Sequence, residues 1–541
     1  MAHTPLLRSL LRTLQAARRA NLKASGQPAP LTHGQLQQSR RRFLKAAGIA
    51  GVAGCGASLL PGVLPAALAT GPMPGARVAI IGAGLAGLNA AFQLKKAGIR
   101  AEVYEASERL GGRVLSRTGL VGDGLVTELG AEFINTDHHD MLSLAQEFKL
   151  PLFNRNEDAA RLAFPRTGYF LEGKTWEEKD LAALLQPLAA QITADADRLA
   201  KDPEKYTKSL DRLSVSAYLD RHVALIPKPV VRTLIENTIR SEYGVEPSAS
   251  SVLQLLYLLP TADGKRIDLL SSSDEAFCVD GGNSRIIDGL AAALDGQIHT
   301  GSFLDKLTAH RTDSLRLRFR NKKEIEAEYV ILAIPFTVLR QVHIEASLPD
   351  ALRAFIREVN LGANEKVMAG YANRAWRHVR GFVGEAWGDF GFSEVWDATQ
   401  RQGKRDDAAL TYYLGGREAA AAFSIGEAEV MGRAFTQRLT AYVPDLGKSA
   451  TGRYARTGWT RNPLTLGAYT SFRPGQISRF GKYRWIESEK PAERQAVRVG
   501  RLLFAGEHLS DEYYGFMNGA AQTGRLAAEV VVKAMARTKS S

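Results

Sequence analysis

The sequence predicts an α/β fold divided between two domains, and three observations lead to that prediction. The chain has 541 residues, more than a single hydrophobic core usually organises. Its composition, 45% hydrophobic and 23% charged, is that of an ordinary soluble α/β protein. The apolar run at 78–81 is typical of a parallel strand buried on both faces, and a helical pattern to about Lys96 and a second strand at 101–104 follow it.

Three glycines separate the first strand from its helix. Gly82 lets the chain turn sharply out of the strand, Gly84 lets backbone N–H groups approach a pyrophosphate, and Gly87 lets the helix pack closely on the sheet. Glu105 lies 18 residues beyond Gly87, where a carboxylate can accept hydrogen bonds from a ribose. This order of strand, turn, helix, strand and acid predicts a Rossmann-like dinucleotide site. An ordinary structural βαβ unit is the alternative, since glycine-rich turns are common.

The stretch that follows narrows the choice of dinucleotide. Residues 107–113 read SERLGGR, which places Gly112 and Arg113 just beyond the ribose acid. A second flexible turn and a fixed cation suit a long dinucleotide that reaches across the sheet, such as FAD, whereas a plain loop is the alternative for the glycine pair. The motif resembles the fingerprint of the flavin-containing amine oxidase family, which includes monoamine and polyamine oxidases and L-amino-acid oxidases. This resemblance implies an FAD-binding domain.

The net charge of +13 is concentrated in the N-terminal region. Residues 1–69 contain nine Lys and Arg and no acid, so the remainder holds 61 basic residues (70 less nine) against 57 acidic ones. A remainder so balanced offers no basic stripe for phosphate backbones, and we expect no nucleic-acid partner.

Residues 1–69 are predicted to be a twin-arginine export signal. Residues 39–45 read SRRRFLK, an uncharged Gly/Ala-rich stretch follows, and 67–69 form a small-x-small cleavage pattern. This predicts a periplasmic or secreted protein that meets the twin-arginine translocase and acquires FAD in the cytoplasm. Two alternatives stay open: a mitochondrial transit peptide, and lipid anchoring through Cys55, because 52–55 resemble a lipobox.

A block at 128–133, ELGAEF, also resembles the family. In relatives this segment passes along the flavin ring, which assigns Gly130 and Ala131 to the cofactor. Amino-acid oxidases commonly carry Met-Arg at the next two positions, and the arginine pairs with the substrate carboxylate. This chain has Glu132 and Phe133 there. Both are expected at the substrate, with Glu132 either favouring a cationic amine or serving as a partly solvated structural acid.

Two later blocks each contribute one residue. Leu304, in the loop after a predicted helix at 283–294, is the nearest match to a residue that holds the adenine through backbone groups. Lys366 matches a lysine that in relatives reaches a water bonded to flavin N5, where a cation favours the anionic reduced flavin and its reaction with dioxygen. The resemblance implies that Lys366 is catalytic. A surface lysine on a strand is the alternative.

The C-terminal blocks complete the implied site. Monoamine oxidases bind flavin through a cysteine where this chain has Ala468, so non-covalent FAD is expected. Tyr469 and Phe516 match the two aromatic residues that wall the amine in those enzymes. The block at 503–520 is also expected to open a helix at the flavin. Three of its residues are assigned to the cofactor: Gly506, Glu507 and Met517.

The blocks are separated along the chain, so the resemblance implies an FAD-binding domain assembled from discontinuous segments and an α+β substrate domain. We expect the signal region at 1–69, the FAD-binding domain at 76–135, 271–342 and 456–541, and the substrate domain at 136–270, which is helical, and 343–455. Apolar spacing at 181–199 and 230–240 predicts helices in the helical part.

The predicted activity is oxidative deamination of a primary or secondary amine, with hydride transfer to flavin N5 and reduction of O₂ to H₂O₂. An L-amino-acid oxidase with the same mechanism is the alternative, and a lipid desaturase or a protein that holds FAD structurally are further rivals. A small-molecule amine and O₂ are the expected partners, and a homodimer is left open. No metal site is expected, because 138–140, HHD, suit a solvated helix N-terminus better.

Overall fold

The computed structural model describes residues 78–258, 261–262, 267–269, 273–311, 314–488 and 490–540. The predicted signal at 1–69, with its twin-arginine motif and Cys55, lies outside the described residues. So do residues 76–77 of the predicted FAD-binding domain.

The first sheet is built around the run predicted to be buried. Across the sheet, its six strands within the described residues are Ile298–His299, Ala101–Tyr104, Val78–Ile81, Tyr329–Leu332, Leu502–Phe504 and Arg498–Val499. The first five run parallel, and Arg498–Val499 pairs antiparallel. All four residues of Val78–Ile81 are buried, as predicted, because a central strand of a parallel sheet is covered on both faces.

Two helices lie close together beside this sheet. Helix Leu85–Lys96 follows the first strand as predicted, and the C-terminal helix Met517–Ser540 packs against it. A Cβ on Gly524 would lie 2.2 Å from the Ala86 carbonyl oxygen, so the backbones approach as closely as glycine allows. The end of the chain is thereby held against the first βαβ unit.

The second sheet is mixed and mostly antiparallel. Its seven strands within the described residues are, in order, Ala450–Arg456, Asn364–Tyr371, Ala408–Gly415, Glu394–Asp397, Glu385–Gly388, Thr167–Leu171 and Lys174–Thr175. One face, which includes Val367, packs against helices Arg417–Ile425 and Ala428–Thr440. Because side chains alternate along a strand, Lys366 and Met368 lie on the opposite face, together with Trp396.

The remaining elements connect and cover the two sheets. A four-stranded sheet has the order Glu324–Ala327, Ser314–Phe319, Leu304–Arg311 and His343–Ile344. Four two-stranded ribbons pair Leu152–Asn154 with Phe277–Val279, Ser116–Thr118 with Val126–Glu128, Asn360–Leu361 with Thr470–Ser471, and Thr261–Ala262 with Ile267–Asp268. The helical region contains Glu178–Lys201, Pro203–Asp211, Val215–Arg221, Pro229–Tyr243 and Val252–Leu258. The helices predicted at 181–199 and 230–240 lie within the first and fourth of these.

Shorter helices complete the chain: His139–Glu147, Arg155–Ala160, Ser284–Ala293, Phe336–Leu339, Asp350–Glu358, Leu446–Ser449 and Gln476–Phe480, with 3₁₀ turns at Val223–Leu225, Pro247–Ala249, Gln400–Gln402, Gly481–Tyr483, Pro491–Glu493 and Glu507–Leu509. Over the described ranges, no helix combines the length and apolarity that crossing a membrane requires. The predicted α/β fold class, with a Rossmann-like parallel sheet and a second mixed sheet, is confirmed.

Candidate active site

A long cavity opens at the carboxyl ends of the parallel strands. It encloses about 1290 Å³ of space, open solvent at its mouth included. Segments that follow four of the strands line it: Gly82 and Gly84, 104–107, 333–335 and 506–508. In open α/β sheets, ligands bind beyond these strand ends.

The three glycines of the first turn are required for different reasons. Gly82 has a φ of 102°, and a Cβ on it would lie 2.8 Å from the Ala333 carbonyl oxygen. A Cβ on Gly87 would lie 2.0 Å from the Gly82 carbonyl oxygen, so Gly87 lets the helix pack behind the turn. Gly84 lines the cavity, and a Cβ there would meet no atom within 4 Å. Of the three, Gly84 is the one that keeps space free for a ligand.

Glu105 follows the second strand and lines the same cavity. Its Oε2 accepts a hydrogen bond from the Ala83 N–H at 2.7 Å, and its Oε1 accepts one from the Ser107 N–H at 2.9 Å. Each carboxylate oxygen has a further lone pair that can accept from a ligand hydroxyl. The backbone therefore orients Glu105 in a way that suits the predicted ribose contact.

An ion pair joins the second glycine turn to the C-terminal block. Gly112 and Arg113 line the cavity, and Arg113 Nη1 donates to the Ala468 carbonyl oxygen and to Glu507 Oε1, both at 2.7 Å. Glu507 Oε2 accepts from the Gly515 N–H at 2.8 Å. Burial opposes ionisation of Glu507, but the charge of Arg113 and the hydrogen bonds outweigh it and hold the pKa of Glu507 below its usual range.

Three further predicted cofactor residues line the cavity: Leu304, Ala131 and Gly506. Leu304 is the first residue of the strand Leu304–Arg311, where it pairs with Phe319. Gly130 has a packing role, since a Cβ on it would lie 2.0 Å from the Arg113 carbonyl oxygen. It brings the segment that carries Ala131 against the second glycine turn.

The residues present fit FAD on two observations. Gly84 and Met517 bring the N-termini of helices Leu85–Lys96 and Met517–Ser540 to the cavity wall, where the helix dipoles favour phosphate. His508 also lines the cavity and is 1% exposed, and neither of its ring nitrogens has a hydrogen-bond partner among the described residues. Burial lowers the pKa of His508 to about 4, so the neutral ring keeps one donor and one acceptor for a bound group.

Lys366 and Glu132 form a buried ion pair. Lys366 Nζ donates to Glu132 Oε2 at 2.7 Å and to the Glu128 and Gly130 carbonyl oxygens at 2.9 Å. Glu132 Oε1 accepts from Trp396 Nε1 at 3.0 Å. The side chains of Lys366 and Glu132 are 6% and 2% exposed, which excludes two of the alternatives left open by the sequence: a partly solvated Glu132 and a surface position for Lys366. Glu132 can be buried because the positive charge of Lys366 compensates its negative charge.

The aromatic residues predicted at the substrate are linked through two others. The Phe133 ring packs on Trp396 with centroids 5.7 Å apart, and Trp396 packs on Tyr413 at 5.1 Å. The Tyr413 and Tyr469 hydroxyls are 2.9 Å apart, and Tyr469 donates to the Ser241 carbonyl oxygen at 2.5 Å. Burial raises the pKa of both tyrosines well above the usual range, so they stay neutral.

Phe516 occupies a different place. It lines the cofactor cavity, and its ring contacts His138 edge-on at 4.8 Å. Phe133 and Tyr469 lie in the aromatic cluster outside that lining. The structure thus connects Phe133 with Tyr469, and places Phe516 at the end of the cavity formed by 515–520.

Residues 138–140, the segment weighed above as a metal site, form the start of a helix instead. Helix His139–Glu147 begins there as predicted, and its first residue, His139, is exposed as a solvated helix N-terminus requires. The preceding His138 is fully buried, and Asp140 pairs with Arg525 at 2.6 Å. Across the described part of the chain, no group of three or more His, Cys, Asp or Glu is placed to hold a metal ion.

Sequence reasoning missed several residues of the site. Trp396 and Tyr413 sit in strands whose alternation predicts a buried face but not its partner. His508 follows the predicted Glu507 directly, and a histidine after a strand-end acid was a signal that could have been used. Asn462, Leu464 and Thr465 line the cavity from an irregular loop that has no periodicity.

Comparison with known proteins gives consistent matches. A family model described as flavin containing amine oxidoreductase matches residues 85–532. The flavin-containing amine oxidase of Danio rerio is 24% identical over 488 residues, 86% of this chain and 87% of that protein. Putrescine oxidase of Kocuria rosea is 27% identical over 491 residues, 84% of this chain and 95% of that protein.

A solved structure of putrescine oxidase bound to putrescine superposes with a TM-score of 0.67 at 25% identity, covering 85% of this chain and 99% of that one. The family match extends over most of the chain and includes helix Leu85–Lys96, the second glycine turn, the Lys366 strand and the C-terminal block. The chain therefore belongs to the flavin-containing amine oxidoreductase family, whose members are FAD-dependent oxidoreductases that act on amines.

Proposed function

We propose that this protein oxidises a primary or secondary amine to an imine, which water converts to a carbonyl compound and ammonia or a shorter amine. When bound, FAD would supply the acceptor, N5, for the hydride from the carbon that bears the amine; the two electrons, with that hydrogen and the proton lost from the amine nitrogen, would then convert O₂ to H₂O₂. The chain's own residues bind the cofactor, orient the amine and set the charge around both.

The cavity residues hold FAD in this proposal, without a covalent bond, because Ala468 offers no nucleophile. Glu105 accepts from the ribose, and the Arg113–Glu507 pair joins the walls. The N-terminus of helix Leu85–Lys96 faces the pyrophosphate, and that of Met517–Ser540 faces the flavin. The full set assigned to the cofactor is Gly82, Gly84, Gly87, Glu105, Gly112, Arg113, Gly130, Ala131, Leu304, Gly506, Glu507 and Met517.

One observation carries the choice of amine. The cluster of Phe133, Trp396, Tyr413 and Tyr469 is buried, aromatic and neutral, and Phe133 stands where an arginine would pair with a substrate carboxylate. Such walls suit the uncharged amine from which hydride leaves. We assign Phe133, Tyr469 and Phe516 to the substrate. Glu132 is different, because a substrate cation would have to displace Lys366 or Trp396 to reach it.

A second candidate, the L-amino-acid oxidase, is favoured by one contact. The Arg155 guanidinium lies 3.8 Å from the centroid of the Phe133 ring, and its Nη1 has no hydrogen-bond acceptor in the described part of the chain. It could therefore attract a carboxylate near Phe133. Glu275 lies 3.7 Å from the same nitrogen and balances its charge, which is why we rank the amine first.

Matched substrate pairs test the proposal. Peroxide release is measured on amines and on the amino acids that give them by decarboxylation, such as phenethylamine with phenylalanine and putrescine with ornithine. We expect each amine to be oxidised faster than its amino acid. Faster oxidation of the amino acids would establish the second candidate, and flavin that neither an amine nor an amino acid bleaches without oxygen would overturn both.

We further propose export through the twin-arginine translocase to the periplasm or the medium, from the SRRRFLK motif at 39–45. Replacing Arg40 and Arg41 by lysines should leave FAD-loaded protein in the cytoplasm; unchanged export would refute the assignment. Retention of a lipid through Cys55, measured by mass spectrometry, separates the anchored form. The division into FAD-binding and substrate domains at the boundaries given above, and a homodimer, remain part of this proposal.

A further inference from the structure

Residues 128–132, here called the strap, run from the last residue of strand Val126–Glu128 into irregular structure, and side chains bind every one of their carbonyl oxygens. Lys366 Nζ binds the oxygens of residues 128 and 130, and Trp459 Nε1 binds that of residue 129 at 2.8 Å. Asn283 Nδ2 binds the oxygens of residues 131 and 132 at 3.0 and 2.7 Å. Buried carbonyls outside regular structure need such partners. Ala131, inside the strap, lines the cofactor cavity.

The hydrogen bonds of Lys366 are fully used within this arrangement. An ammonium group has three hydrogens, and Lys366 Nζ has three acceptors: two strap carbonyls and Glu132 Oε2. The other oxygen of Glu132 accepts from Trp396. Lys366 therefore clamps the strap, and Glu132 completes the clamp as its third acceptor.

The pair also cancels a charge where charge acts strongly. Both side chains are buried, and a buried charge that loses its partner is uncompensated. With Glu132 opposite Lys366, the net charge of the two side chains beside the strap is zero. The reduced cofactor carries more negative charge than the oxidised one, so its stability depends on that net charge.

We propose that Glu132 is a positioning residue which aims Lys366 at the strap and neutralises it, so that the pair together sets the electron affinity of the bound flavin. This rests on the proposed function, in which the strap lies along the cofactor. It assigns to Glu132 a part in the reaction that does not require contact with the amine.

Four FAD-loaded proteins test the inference: wild type, Glu132→Gln, Lys366→Met and the double variant. The net charge of the two side chains is zero, +1, −1 and zero in these proteins. We expect the two-electron midpoint potential to rise by about 30 mV in Glu132→Gln and to fall by about 30 mV in Lys366→Met. Each shift corresponds to about a tenfold change in the reduction equilibrium constant. The double variant should return to the wild-type value.

A matched control removes a different buried carboxylate, that of Glu365, from the strand that carries Lys366. Glu365 is 2% exposed and accepts from the Thr457 hydroxyl and the Thr460 backbone N–H, on the face opposite Lys366. Glu365→Gln should destabilise the protein but leave the potential unchanged. An equal shift in Glu365→Gln and Glu132→Gln would overturn the proposal, since any lost carboxylate would then suffice.

Two outcomes decide the rest. If Glu132→Gln does not retain FAD, Lys366→Met and the double variant make the same comparison, and the double variant must have the higher potential; equal potentials overturn the inference. Amine oxidation is measured on the same wild-type protein. If amines are oxidised normally but the midpoint potentials do not follow the net charge of the pair, only the role proposed for Glu132 is refuted. If no amine is oxidised, the proposed function is refuted.

Discussion

Replacing Gly84 by alanine is expected to weaken FAD binding while leaving the cofactor-free fold intact. Gly84 has φ −76° and ψ 178°, a conformation that alanine adopts readily. The added methyl group meets no atom within 4 Å, so the free energy of unfolding without FAD should change by less than about 0.5 kcal/mol. The methyl group takes cavity space at a helix N-terminus, and we expect the Kd for FAD to rise about tenfold or more, at least about 1.4 kcal/mol.

Gly87→Ala is the matched control in the same helix. Its Cβ would lie 2.0 Å from the Gly82 carbonyl oxygen, and a backbone atom cannot move aside as a side chain can. Such overpacking costs roughly 1–3 kcal/mol or more. The two substitutions are therefore expected to change different quantities: Gly84→Ala weakens FAD binding, and Gly87→Ala lowers the stability of the fold.

The assay needs protein from which the flavin has been removed. Urea unfolding followed by circular dichroism gives stability, and quenching of flavin fluorescence on titration gives the Kd for FAD. Wild-type affinity in Gly84→Ala would show that the phosphates do not pass this glycine. Wild-type stability in Gly87→Ala would refute the packing reason given for it.

Three further predictions concern the Arg113–Glu507 pair and the cofactor bond. Glu507→Gln leaves Arg113 without its buried partner and should lower the free energy of unfolding by up to about 3 kcal/mol, the low end for buried pairs, because Arg113 is 16% exposed. Glu507→Asp keeps the charge and should lose less of this free energy. Equal losses in the two variants would contradict the role of charge. Since the folded pKa of Glu507 is lowered, its stabilisation is fully present above the ordinary value of about 4.3 and is lost as pH falls through the lower folded pKa, which urea unfolding across pH 3–6 measures. Acid precipitation should release all flavin to the supernatant, because Ala468 has no nucleophile and burial raises the pKa of the Cys278 thiol to about 11; flavin retained in the pellet would show a covalent bond.

The first βαβ unit could be predicted from the sequence because its signals are local. Four apolar residues, a helix of normal length and glycines at fixed spacing determine Val78–Ile81, Leu85–Lys96 and Ala101–Tyr104 within a few residues. Glu105 is likewise placed by its position at the end of a strand. Each of these inferences needs contacts within about thirty residues of chain.

The environment of Lys366 and Glu132 could not be predicted in the same way. The two residues are 234 positions apart, and Glu132 meets Lys366 only because the strap lies against the face of the second sheet that carries Lys366. A carboxylate in an irregular segment is ordinarily solvated, so the sequence alone favoured that state. The long-range cation reverses it, and no local pattern records such a partner.

The cavity is itself a long-range construction, and this bears on when FAD binds. Its lining extends from Ile81 to Ala520, and the strand before Gly506 pairs with Tyr329–Leu332 in the centre of the sheet. The pyrophosphate site is therefore complete only when both ends of the family region have folded together. FAD at a thousand times its Kd would then add about 4.1 kcal/mol to the folded state. A protein stabilised in this way gains from folding where FAD is made, which agrees with a proposed export route that carries folded proteins.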